Sequence, residues 1–271
     1  MPSTLLTATA LVLAVAAAFW FDRQLVQRRL LPPRFDHPLR RSLAATLVAG
    51  ILFLGVFLPL LMVGQSDPGE LVDRPPIELF TVHFLLLITV SGWYLFGFVP
   101  AAGEGQSFAA QFGLKTGRPG TELWLGLATG GAGWLGMITV MLAVVGMVSL
   151  LGGQDTLPQR PPEVIAWLAG LPWPLRLALA LSAGFFEELF FRGFLQPRMG
   201  LIASTVVFVL AHASYEQPFM LVGLTFLSLL FGWVVSWRQS IWPAVVAHAA
   251  FDAFQLLVVI PLTLKLVPAG P

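Results

Sequence analysis

The chain has 271 residues, 57% of them hydrophobic and 11% charged, with a net charge of +1. That apolar fraction exceeds the roughly 45–50% usual for soluble domains, so water is not its main solvent, and the near-neutral charge, with basic residues in loops and helix ends, argues against a nucleic-acid partner. Cysteine is absent, which excludes disulfides, thiolate metal sites and a cysteine nucleophile.

Apolar runs of about 20 residues recur along the chain and predict an all-α fold: one polytopic, integral membrane helical bundle over 1–271 with about eight transmembrane helices. The first run, STLLTATALVLAVAAAFWF, has no basic segment before it of the kind a secretory signal requires, so it reads as a retained helix. DRQLVQRRLLPPRFDHPLRR follows with Arg23, Arg28, Arg29, Arg34, Arg40 and Arg41, broken by Pro32 and Pro33, and reads as a cytoplasmic loop. Leu43 to Val63 is the second span, and the acidic QSDPGELVDRPPIE after it fits the opposite side. Leu79 to Pro100 is the third, and its return loop carries Lys115 and Arg118. Leu123 to Leu151 is a glycine-rich fourth span, in which small residues let neighbouring helices approach closely. Val164 to Trp173 is too short to cross alone and is expected at the interface or as a re-entrant piece. Leu175 to Pro197, Leu201 to Ser214, Pro218 to Trp237 and Ile241 to Leu262 complete the eight.

Alternation from an outward N-terminus puts eleven Lys and Arg residues inside, including Arg192, Arg198 and Arg238, and four outside (Arg74, Arg160, Arg176, Lys265). This satisfies the positive-inside rule. Both termini then lie outside. Arginine outnumbers lysine, and Ala, Gly, Leu and Pro are abundant, which is compatible with a GC-rich bacterial genome and hence a bacterial inner membrane.

Within the fifth span, FFEELFFRGF sets two adjacent carboxylates and an arginine into an apolar run. Charged groups at membrane depth are costly and mark pathways or active sites. Glu188 and Arg192 stand one helical turn apart and can pair; Glu187 has no such partner on its own helix. Two histidine segments supply candidates: FVLAH, with Phe208 and His212 one turn apart, and HAAFD, with His248 and Asp252 one turn apart. Counted from the cytoplasmic turns near Gly200 and Ser240, Glu188, His212 and Asp252 lie about 18 Å deep and His248 about 12 Å, at 1.5 Å per residue.

Taken in order, E-E-x-x-x-R (Glu187, Glu188, Arg192), F-x-x-x-H (Phe208, His212) and H-x-x-x-D (His248, Asp252) resemble the motifs of the CAAX-protease and bacteriocin-processing family, whose eukaryotic members are type II CAAX prenyl endopeptidases and whose bacterial members are also called abortive-infection proteins. The resemblance implies a glutamate-dependent intramembrane endopeptidase with its catalytic core in 175–262. Glu187 and His212 would activate a water. His248, oriented by Asp252, would stabilise the oxyanion; Glu188 and Arg192 would hold the helix register, and Phe208 would pack or wall the site. Family members with asparagine in the last motif carry a donor where this chain has Asp252, which only accepts when ionised, so the donor role goes to His248. Elementary chemistry agrees with this: a carboxylate desolvated by phenylalanines can take a proton from water, and an imidazole N–H can stabilise an oxyanion.

The implied substrate is a membrane-associated protein or peptide, such as a bacteriocin leader or a C-terminal sorting tail, reached from the cytoplasmic side. No cofactor is implied. Zinc is the alternative, since carboxylates and histidines ligate it, although H-E-x-x-H is absent and adjacent glutamates point about 100° apart on a helix. Two other functions compete: an ion-coupled transporter, and a non-catalytic immunity or scaffold protein. Among the remaining polar and aromatic residues, His83 is expected to be a hydrogen-bonded core histidine, His37 an unremarkable loop residue and Glu216 solvated. Trp20, Trp93, Trp124, Trp167 and Trp173 are expected as interface anchors.

Overall fold

The computed structural model describes residues 4–64, 75–99, 106–153, 155, 163–213 and 218–266, and every regular element among them is helical. Six helices are long and apolar enough to cross a bilayer: Thr4–Gln27 (α1), Pro38–Leu61 (α2), Ile77–Phe98 (α3), Pro119–Leu150 (α4), Phe219–Arg238 (α7) and Trp242–Leu266 (α8). The other two expected spans are helical but built differently. Trp173–Glu188 runs on through a π-helical stretch, Leu189–Leu195, into Gln196–Met199 (together α5), and its charges lie mid-helix. Leu201–Ala211 (α6) has only 11 residues, fewer than the roughly 20 a span needs, so it does not cross a bilayer alone. The short Glu163–Gly170 helix occupies the segment expected at the interface. Arg74, Arg160 and Glu216 lie outside the described residues.

Large apolar side chains cover the outside of the bundle: Leu11, Phe19, Leu135, Leu142 and Trp233 are all more than half exposed. A surface of this kind is stable against acyl chains and not against water. The protein is an integral membrane protein.

Small residues draw the central helices together. A side-chain carbon on Gly126 of α4 would stand 2.8 Å from the Pro243 carbonyl oxygen of α8, and one on Gly130 3.0 Å from that of Ala247. Gly184 of α5 meets α8 in the same way, 2.7 Å from the Ala249 nitrogen. Thus α8 is clasped between α4 and α5, and backbone contact at Gly184 and Ala249 brings the neighbouring Glu188 and His248 face to face.

The π-helical stretch forfeits regular i→i−4 bonds, and side chains take up the freed carbonyls. Ser204 donates to the Phe191 carbonyl at 2.7 Å, and Arg198 to those of Gly193 and Phe194 at 3.3 and 2.7 Å. Arg198 is therefore buried, with its guanidinium 4.3 Å from the centre of the Trp93 ring. Arg198 thus caps the helix it ends, and one expectation is corrected: Trp93 is 2% exposed rather than an interface anchor.

Candidate active site

The two adjacent glutamates serve different partners. Glu188 is fully buried, its Oε2 lies 3.1 Å from Arg192 Nε, and its Oε1 lies 2.8 Å from His248 Nδ1. Arg192 is 1% exposed and its Nη2 reaches the Ser228 carbonyl at 3.4 Å. Glu187, on the next face of α5, points at two other imidazoles: His212 Nε2 is 3.7 Å from Oε2, and His83 Nε2 is 3.5 Å from Oε1.

Phe208 joins the two halves. Its ring centre is 4.5 Å from that of His212 and 6.3 Å from that of His248, and the Arg192 guanidinium lies 4.6 Å from it. All seven motif residues therefore occupy one cluster at the meeting point of α5, α6 and α8.

Local chain geometry fixes the His212 ring. The residue sits just past the C-terminus of α6, where its backbone N–H bonds Val209 in a tightened turn and leaves the Phe208 carbonyl without its usual helical donor. His212 Nδ1 takes that carbonyl at 2.8 Å. A carbonyl only accepts, so Nδ1 carries the proton, and in the neutral ring Nε2 is left as a lone pair facing Glu187. With that tautomer His212 Nε2 and Glu187 Oε2 face one another as two acceptors 3.7 Å apart. Glu187 Oε2 is also buried without a hydrogen-bond partner among the described residues.

The His248 ring differs from the expectation. Asp252 does stand beside it, but at Nε2 and 3.4 Å away, while the closer carboxylate is Glu188 at Nδ1. Glu188 is thus the nearer partner of the ring, and it contacts His248 as well as Arg192. With a carboxylate at each nitrogen, both contacts are hydrogen bonds only in the doubly protonated ring.

His83 is the hydrogen-bonded core histidine expected, with one contact more. It is buried and bonded to Ser182 as a core histidine should be, yet its other nitrogen faces Glu187. The available signal was the rarity of an ionisable side chain inside an apolar span. Among the described residues, no three His, Asp or Glu side chains are arranged so that they could hold a metal ion.

Residues 169–254 match the family model "Type II CAAX prenyl endopeptidase Rce1-like". Over this segment the chain is similar to the Rce1-like CAAX-protease family. It contains α5, α6 and α7 and most of the described part of α8 that lines the cluster, so every motif residue of the site falls inside it. The chain is also similar to the uncharacterized protein YpbD of Bacillus subtilis (strain 168), 32% identical over 81 residues, which are 30% of this chain and 43% of that protein. The match spans less than half the length of that relative. No solved structure matches the chain.

Proposed function

We propose that this protein is an intramembrane endopeptidase that hydrolyses a peptide bond of a membrane-associated protein or peptide with a water activated by Glu187 and His212. The observation that carries the reading is the pair of convergent acceptors, Glu187 Oε2 and His212 Nε2, 3.7 Å apart and facing one another inside the bundle.

In this reading the water donates one hydrogen to each acceptor. As its oxygen bonds the scissile carbonyl carbon, its proton passes to Glu187 Oε2. The carbonyl oxygen becomes an oxyanion, and His248 Nε2–H, shared with Asp252, is the donor within reach of the same cluster. Glu187 then returns the proton to the amide nitrogen as the carbon–nitrogen bond breaks. Glu188 keeps His248 oriented, Arg192 neutralises Glu188, and Phe208 walls the cluster. A carboxylate and an imidazole suffice for the activation, so no step needs a metal ion. The site opens toward the cytoplasm of a bacterial inner membrane.

Terminal proteomics of host membranes carrying the wild-type protein or E187A is the test: a protein terminus present only with the wild type identifies the substrate. A peptide spanning that cleavage site then serves as the kinetic reporter. E187A and H212A are each expected to lower its cleavage by at least about 100-fold while still inserting in the membrane. Cleavage at wild-type rate by both variants refutes the reading.

A further inference from the structure

Glu187 has two carboxylate oxygens, and the water-activating arrangement uses only Oε2. We infer that His83, on α3, is a positioning residue that holds the other oxygen, Oε1, through its Nε2–H and thereby aims Oε2 at His212 and the water. This inference rests on the peptidase reading and extends it to a residue outside the Rce1-like segment.

Three observations carry it. First, His83 Nε2 lies 3.5 Å from Glu187 Oε1, whereas His212 faces the other oxygen, Oε2. That separation is longer than a closed hydrogen bond, and contacts at catalytic groups commonly tighten only when substrate is bound. Second, the ring cannot easily turn away. It stacks on Phe186 at 6.3 Å and 25°, meets Phe80 edge-on at 6.3 Å, and is only 6% exposed.

Third, the carboxylate oxygen facing Nε2 calls for an N–H there, and Ser182 accommodates that N–H in either protonation state of the ring. Its hydroxyl lies 2.9 Å from His83 Nδ1 and 3.0 Å from the Leu179 carbonyl, so it has two acceptors and one hydrogen to give. When the imidazole is neutral, Glu187 Oε1 favours the tautomer whose single proton sits on Nε2, and the hydroxyl turns to donate to Nδ1. When the imidazole is doubly protonated, Nδ1–H donates to Ser182 Oγ and the hydroxyl stays on Leu179. Either way Nε2–H faces Glu187. Oε1 accepts that N–H as a carboxylate oxygen and as the carbonyl oxygen of the protonated acid, so the contact survives the proton's arrival and departure at Oε2. A general base held by one oxygen exchanges its proton at the other.

The experiment measures kcat and KM on the reporter peptide for H83A, H83Q and H83N, with E187A alongside. A glutamine amide reaches roughly where Nε2 stands and can donate to Oε1; an asparagine amide reaches only the Nδ1 position and keeps Ser182. The expected result is a kcat about tenfold or more lower for H83A and H83N with KM within about twofold, and an H83Q kcat restored to within about threefold of wild type. A residue that merely fills space would not be rescued by glutamine over asparagine. If H83A does not accumulate in the membrane, the H83Q and H83N pair makes the same decision. Equal kcat for those two variants, or an H83A kcat within about twofold of wild type, overturns the inference. Full cleavage by E187A would instead remove the peptidase reading itself, so the two failures are distinct.

Discussion

Glu188 is fully buried and shared between Arg192 at 3.1 Å and His248 at 2.8 Å. Breaking such a buried pair by removing one partner strands a charge and typically costs about 3–5 kcal/mol. R192L should therefore lower the thermal midpoint of the solubilised protein by several degrees or block its accumulation, and E188Q/R192L, which removes the stranded charge as well, should recover part of that loss. An R192L midpoint equal to wild type would show that the pair carries no stability. At this scale the sequence was legible wherever partners lie one turn apart on one helix: Glu188 with Arg192, Phe208 with His212, His248 with Asp252. It was not legible across helices. The 3.6-residue period says that Asp252 shares a face with His248, but not that Glu188 of α5 reaches the ring's other nitrogen at a shorter distance. His83 was missed for the same reason, because its relation to Glu187 exists only once α3 packs on α5.

The elements meet through glycines, and this sets what each tolerates. A methyl group on Gly184 would stand 2.7 Å from the Ala249 backbone nitrogen, so α5 or α8 must shift to admit it. Glu188 lies one turn on from Gly184 and His248 precedes Ala249, so the shift falls on their 2.8 Å bond. G184A should lower kcat on the reporter peptide by about tenfold or more, given how steeply rate depends on positions near an ångström. G131A is the control: nothing lies within 4 Å of its added carbon on exposed α4 surface, and it should change stability by no more than about 0.5 kcal/mol. Wild-type kcat in G184A would mean that the close approach does not set the site. Glycine richness predicted a close-packed fourth helix, and Gly126 and Gly130 supply it. The π-helical stretch had no sequence signature, since its altered bonding is decided by Ser204, Arg198 and their carbonyl partners rather than by local propensity.

Over the whole molecule, the basic connections gather at one end of the bundle. Arg34 N–H bonds the Gly97 carbonyl at 3.0 Å, Arg40 reaches Phe96 and Val99 at 3.2 and 2.8 Å, and these tie the α1–α2 connection to the C-terminal end of α3. At the same end Ile241 N–H bonds Gly113 at 3.0 Å, Trp242 Nε1 bonds Leu114 at 2.9 Å, and Arg238 pairs with Glu122 at 2.7 Å. Arg198, 4.3 Å from the Trp93 ring centre, completes the group. One end of the fold thus holds the Arg-rich connection together with Lys115, Arg118, Arg198 and Arg238, which is the distribution that directs an end to the cytoplasm. The absence of cysteine makes the orientation directly measurable, because a single introduced thiol is the only reactive one. H37C, in the Arg-rich connection, is expected to resist a membrane-impermeant maleimide in intact bacterial cells and to label once the membrane is opened. L151C, at the far end of α4 and 81% exposed, is expected to label in intact cells. The opposite pattern would place the basic end outside and remove the cytoplasmic route by which a substrate reaches Glu187.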